Sequence, residues 1–283
     1  MVRQGRVTID DEHAADSFYD DSLPTAFRAA QARALEIGTS VKSMPEVLVL
    51  RRKAPFTNPV WSRWYTCVSE EDVGTTEQGN KVMIEVHGGG ILTPERIETA
   101  YQRGLKKQHM AYLEEYELRN LLKGKLADGV EIPVYSFTDF RNGIKDRPRR
   151  YAVVMDYDTA KNSASGCPSV ESLRDNAVFI VRNGGVVEAN AFLDKVMQRY
   201  TNYGNWHSFN AINADSAVGC LLTVTENNTG LRDSGLNRIG CFLVGVHNLE
   251  NMVDVQLPRD FLVSLEGGAE IITYNGRTYE LRK

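Results

Sequence analysis

The stretch Val82-Met-Ile-Glu-Val-His-Gly-Gly-Gly90, continued by Ile91-Leu-Thr-Pro94, decides how the chain is read. Val82 to Val86 is short, apolar and partly β-branched, the pattern of a buried strand. Gly88, Gly89 and Gly90 allow a sharp turn, positive φ and close approach of another group to the backbone. Thr93 is a good N-cap and Pro94 suits a first helical position. Strand, glycine loop and helix start together offer backbone N–H donors and a positive dipole end to an anion. His87 falls at the strand's C-terminal tip, where open α/β sheets place ligands. The alternative is a tight turn whose glycines serve geometry alone.

A second segment has the same form. Asn176-Ala-Val-Phe-Ile-Val-Arg-Asn-Gly-Gly185 reads as an apolar strand with a polar tip and paired glycines, followed by a helix from Val186 to Tyr200. Arg182 takes the place His87 held in the first unit. Tyr151 to Asp158 is a third strand. Asp156 and Asp158 at its end read as a cap on the next turn or as a cation pair. The runs Val82–Val86, Ala152–Met155 and Ala177–Val181 are apolar on both faces, which predicts one sheet covered by helices.

The rest of the chain divides coarsely. Residues 1–22 are acidic and poor in large apolar groups, and read as a flexible arm. Residues 23–204 read as a mixed α/β region. It has a helix from Thr25, a strand from Glu46 to Arg52, a loop at Glu70-Glu-Asp72 and a broken helical stretch from Pro94 to Lys123. Residues 205–283 carry short strands with turn residues between them, including the hairpin signal Asn275-Gly276. The expected fold is therefore α/β or α+β, with a central mixed sheet, strand–Gly-Gly–helix units and an antiparallel β-rich C-terminal third packed on the same domain.

The chain has 283 residues, 42% hydrophobic and 25% charged, which is ordinary for a globular protein. A net charge of −4 argues against nucleic acid as a partner. No apolar run approaches the roughly 20 residues needed to span a bilayer, so no membrane partner is expected. Met1-Val-Arg-Gln-Gly-Arg6 lacks the apolar core of a secretory signal. Cys67, Cys167, Cys220 and Cys241 form no CxxC pair, and reduced thiols in the cytoplasm are expected.

His87-Gly-Gly-Gly90 resembles the oxyanion loop of lipases and esterases of the α/β-hydrolase fold. That family's Gly-x-Ser-x-Gly nucleophile elbow does not occur in this sequence. Cys167, in a loop beside a short helix, is the candidate nucleophile, with His87 or His207 as its base. Gly88, Gly89, Gly90, Arg182, Gly184 and Gly185 are the candidate anion-binding residues. No histidine or cysteine spacing ties a metal site together, and no cofactor motif occurs. Two functions follow: an enzyme acting on a small anionic or acyl substrate, or a non-catalytic structural, assembly or interaction protein, with homo-oligomerisation open to either. If the site is real, His87 and His207 line one cavity near Arg182, and His87→Ala changes stability by no more than about 1 kcal/mol.

Overall fold

The structure, a computed structural model, describes residues 1–10, 13–106, 109–163, 169–199, 216–225, 231–234, 236, 239–248, 271–274 and 277–280. Two strands, β1 (Arg3–Thr8) and β2 (His13–Asp20), pair antiparallel at the start. Helices α1 (Leu23–Glu36), α2 (Met44–Lys53) and α3 (Pro59–Ser62) follow. The long strand β3 (Tyr65–Thr75) then pairs antiparallel with β4 (Lys81–His87), with Glu71 opposite Glu85 and Ser69 opposite His87. Beyond the glycine loop come α4 (Pro94–Arg103), β5 (Ala111–Tyr112), α5 (Glu115–Leu122), β6 (Val134–Ser136) and α6 (Phe137–Arg141). Strand β7 (Tyr151–Asp156) leads into α7 (Tyr157–Lys161), α8 (Val170–Leu173), α9 (Ala177–Asn183) and α10 (Val186–Met197). The last strands are β8 (Val218–Val224), β9 (Leu231–Ser234), β10 (Gly240–Asn248), β11 (Ile271–Tyr274) and β12 (Arg277–Glu280).

The class is α+β, with a mixed central sheet. Its strand order is β5-β8-β3-β4-β7-β6, and β9 pairs with β8 off this path. The pairing of β6 with β7 is parallel, and the others described in this sheet are antiparallel. A smaller sheet, β1-β2-β10, brings the start of the chain against its C-terminal third. Strands β11 and β12 form a hairpin with Tyr274 opposite Arg277, as the Asn275-Gly276 signal predicts; those two turn residues lie outside the described residues.

Alternation along the strands sends side chains to two cores. Val82, Ile84 and Val86 of β4 join Ala152 of β7 and the apolar faces of α1, α4 and α5. Met83 joins Val153 and Met155 of β7, with α2, α9 and α10, on the other side. Glu85 and His87 are in phase with Met83, so they point toward α9. The sheet is therefore covered on both faces, as predicted for β4 and β7, which are neighbours in it.

Several segments depart from expectation. The run Ala177–Val181 is helical: α9 is buried at every position, capped by Asn176 and ended by Gly184 at φ 89°. A short β-branched run cannot be told from a buried helix by periodicity, and here the caps decide. The second unit is thus helix–Gly-Gly–helix. Glu46 to Arg52 is also helical, because Ser43 and Glu46 form a capping box ahead of α2. Glu70-Glu-Asp72 lies inside β3 and is buried, where a loop was expected. The acidic segment 1–22, expected as a flexible arm, holds β1 and β2. Its small residues Ala14, Ala15 and Ser17 pack inside, and Asp16 pairs with Arg33 at 2.8 Å. Asp156 caps α7 through Thr159 N–H, at 3.0 Å, as one of the two sequence readings has it.

Candidate functional site

The first unit forms as the sequence implies: β4 runs into Gly88, Gly89 and Gly90, and Thr93 caps α4 by accepting from Arg96 N–H. Gly88 and Gly89 have φ of 83° and 105°, values open mainly to glycine. The anion position beside this turn is filled from within. Glu70 of β3 accepts from Ile91 N–H at 2.5 Å and from Leu92 N–H at 2.8 Å. A Cβ on Gly90 would fall against that carboxylate, so the third glycine makes room for Glu70. Burial pushes the Glu70 carboxyl up from its ordinary value, against the two N–H donors that favour its ionised form. Asp72, two residues on along the same face, is held well above the usual carboxylate range by burial and by the neighbouring Glu70.

His87 is fully buried. Its Nε2 lies 3.1 Å from Val181 O of α9, an acceptor only, so Nε2 carries the proton. Its Nδ1 then accepts from the Ser69 hydroxyl at 2.8 Å, and Ser69 Oγ accepts from Met44 N–H of α2 at 2.9 Å. Burial lowers the imidazole pKa to about 3, although the Val181 carbonyl opposes the shift. This is a neutral imidazole that ties α2, β3, β4 and α9 together, with both nitrogens occupied by protein atoms. A proton shuttle needs a nitrogen that can reach a substrate.

Arg182 is also fully buried. It reaches from α9 to the sheet, with Nη2 2.6 Å from Glu71 Oε2 and Nε 2.9 Å from Glu85 Oε1. Its guanidinium holds the protein's own carboxylates. Gly184 and Gly185 serve the helix: their N–H groups donate to Val181 O at 2.9 Å and Ile180 O at 3.0 Å, closing α9. Arg147, stacked over Tyr151 at 4.8 Å, donates to Gly184 O. The structure therefore brings His87 and Arg182 together through α9 and Glu85, inside the core. His207 and Cys167 lie outside the described residues.

The glycine loop does line an open cleft, on the side away from His87. This cavity of about 320 Å³ lies between α1 and the turn, with Phe27, Gln31 and Leu35 on one wall and Gly88, Gly89 and Gly90 on the other. Arg149 and Arg150 close its rim. The sequence marks these two only as part of the basic run Arg147-Pro-Arg-Arg150, and nothing local connects them to Gly89. Among the described residues no group of three or more His, Cys, Asp and Glu side chains is placed to hold a metal. Nor is any helix among them long and apolar enough to cross a membrane.

No protein-family model matches the chain, and no curated protein matches it. A solved structure from work on the accommodation of massive sequence variation in Nanoarchaeota by the C-type lectin fold is similar to it. The two are 27% identical with a TM-score of 0.64, over 84% of this chain and 100% of that one.

Proposed function

We propose that this chain is a non-catalytic recognition protein: a C-type lectin-like scaffold whose buried polar frame fixes the fold while its outer residues are available for binding. The observation that carries the reading is where the reactive side chains sit. His87, Arg182, Glu70 and Glu85 are buried and engaged with one another or with backbone. The bonds of Glu70, His87 and Arg182 tie the sheet, the glycine turn and the helices into one frame, which rigidifies the core and specifies it. A frame held from inside leaves the surface less constrained, which accords with the similar chain's description as accommodating massive sequence variation. The cytoplasm and self-association belong to the same reading. Cys67 supports a reducing location, being a free thiol buried in the core.

The test is a displayed library that varies the exposed positions Gln31, Leu35, Tyr116 and Val187 together. A matching library varies Ser69, Glu70, Glu85 and His87. The surface library is expected to stay protease-resistant and to yield binders to two unrelated immobilised proteins, whereas the buried library loses resistance. Turnover of a substrate by the wild-type chain that one substitution abolishes would overturn the reading. So would a surface library that yields no folded binder.

A further inference from the structure

The cleft beside the glycine turn has two chemically different walls. Phe27 and Leu92 are buried apolar residues at its floor, and Leu35 stands 85% exposed at its edge. A ligand seated in the cavity would cover Leu35, and removing that apolar surface from water would favour binding. The opposite wall is peptide backbone, Gly88 to Gly90, stripped of side chains. The rim carries charge. Arg150 donates from Nε and Nη2 to Gly89 O, at 3.4 and 3.3 Å, and from Nη1 to Asp128 at 2.8 Å. Arg149 uses Nε and Nη2 on Glu46, at 3.1 and 3.2 Å, and Nη2 also on Val41 O. Arg149 Nη1 has no partner among the described residues in these bonds, and the guanidinium remains partly exposed.

We infer that this cleft binds a small organic carboxylate with an apolar body, its chain lying on Phe27, Leu35 and Leu92 and its carboxylate meeting Arg149 and Arg150. The backbone donors of Ile91 and Leu92 already hold Glu70, so recognition of the anion falls to the two guanidinium groups. Arg149, Arg150 and the neighbouring Lys42 stand against two acids, Asp128 and Glu46, a balance that favours an anion over a cation. At about 320 Å³ the cavity is at the small end of ligand sites, which fits a free acid of modest size. The inference adds a ligand to the recognition reading without depending on it.

Calorimetric titration with sodium 4-phenylbutyrate, and with its neutral amide, tests it. The acid is expected to bind saturably, and the amide at least about tenfold more weakly, the loss of one charge-assisted hydrogen bond. Arg149→Gln with Arg150→Gln is expected to bring the acid down to the affinity of the amide. Gln31→Trp, at an exposed position on the wall, is expected to abolish both. No saturable binding of the acid overturns the inference, and so does equal affinity for acid and amide. Unchanged binding in Gln31→Trp places the ligand elsewhere and overturns it too. If the double arginine variant fails to fold, the acid–amide comparison and Gln31→Trp still decide.

Discussion

Glu71 and Glu85 face each other in register across β3 and β4, both buried, and the single guanidinium of Arg182 bridges them from α9. Two like charges directly opposite on one sheet face repel. One arginine neutralises one carboxylate, so the arrangement is electrically balanced when the other carries a proton. Burial, then the Glu71 charge, raises Glu85 to about 8 despite the opposing Arg182. The pair therefore shares a proton at neutral pH, and Glu85, the carboxyl raised to about 8, is the member to test as its holder.

Removing the cation should be far more damaging than removing the second acid. Arg182→Met leaves buried carboxylates without their counter-charge and is expected to cost about 3–5 kcal/mol, as for other broken buried pairs. Glu85→Gln preserves the neutral form and should cost much less. Urea unfolding of both variants at neutral pH checks the order, and an equal loss in the two would refute the assignment of the proton.

The same proton gives a pH signature. Glu85 titrates near 4.5 when unfolded and at about 8 when folded, so the folded state holds the extra proton between these values. Its contribution to stability is complete below 4.5 and is lost as pH rises through 8. His87 works in the opposite sense. Lowered from 6.5 to about 3, it contributes above 6.5 and loses that contribution as pH falls toward 3. Between 6.5 and 8 the Glu85 effect acts without the His87 effect, so the melting temperature of the wild type should fall across that window. Asp72, also raised, tilts stability the same way, so Glu85→Gln should reduce the slope without abolishing it, and a slope unchanged by the substitution would rule out Glu85 as a source.

His87→Ala tests the histidine's role. The substitution strips partners from the Ser69 hydroxyl and the Val181 carbonyl, both inside the core. A loss of about 2–4 kcal/mol is expected: the Ser69 hydroxyl loses its acceptor, which costs about 1–3 kcal/mol, and the vacated ring leaves a cavity, while Val181 O keeps Gly184 N–H. A change below about 1 kcal/mol, with altered ligand binding, would restore the site reading of this residue.

Gly90→Ala probes the filled anion position. The added methyl would displace the Glu70 carboxylate from Ile91 N–H and Leu92 N–H. The variant should lose about 2–4 kcal/mol through those unsatisfied donors. Amide exchange at Ile91 and Leu92 should rise selectively. Unchanged exchange there would mean that Glu70 does not hold the turn.

Burial pushes the Cys67 thiol up strongly and that of Cys241 to about 11. Both should react slowly with a thiol reagent in the native protein at neutral pH, because the thiolate is the reactive form. Denaturation without reductant should release all four thiols of the sequence. Recovery of two would show a disulfide.

The sequence by itself determined the first unit. An apolar strand, three glycines and a Thr-Pro helix start are local signals, and β4, the turn and α4 follow them. It also determined that the sheet is covered on both faces, since Val82, Met83 and Ile84 are apolar in succession. Only the tertiary structure decided what the polar residues do. Glu70-Glu-Asp72 has the composition of a loop, and becomes the middle of β3 because Arg182 and the N–H groups after Gly90, distant in sequence, compensate its charge. Ala177–Val181 suits strand or helix equally, and the packing of α9 between the sheet and its capping residues selects the helix. His87 follows the same logic. The sequence places it at a strand tip, but its distance from solvent depends on α2 and α9 closing over it, and that closure made a ligand candidate into a core tie.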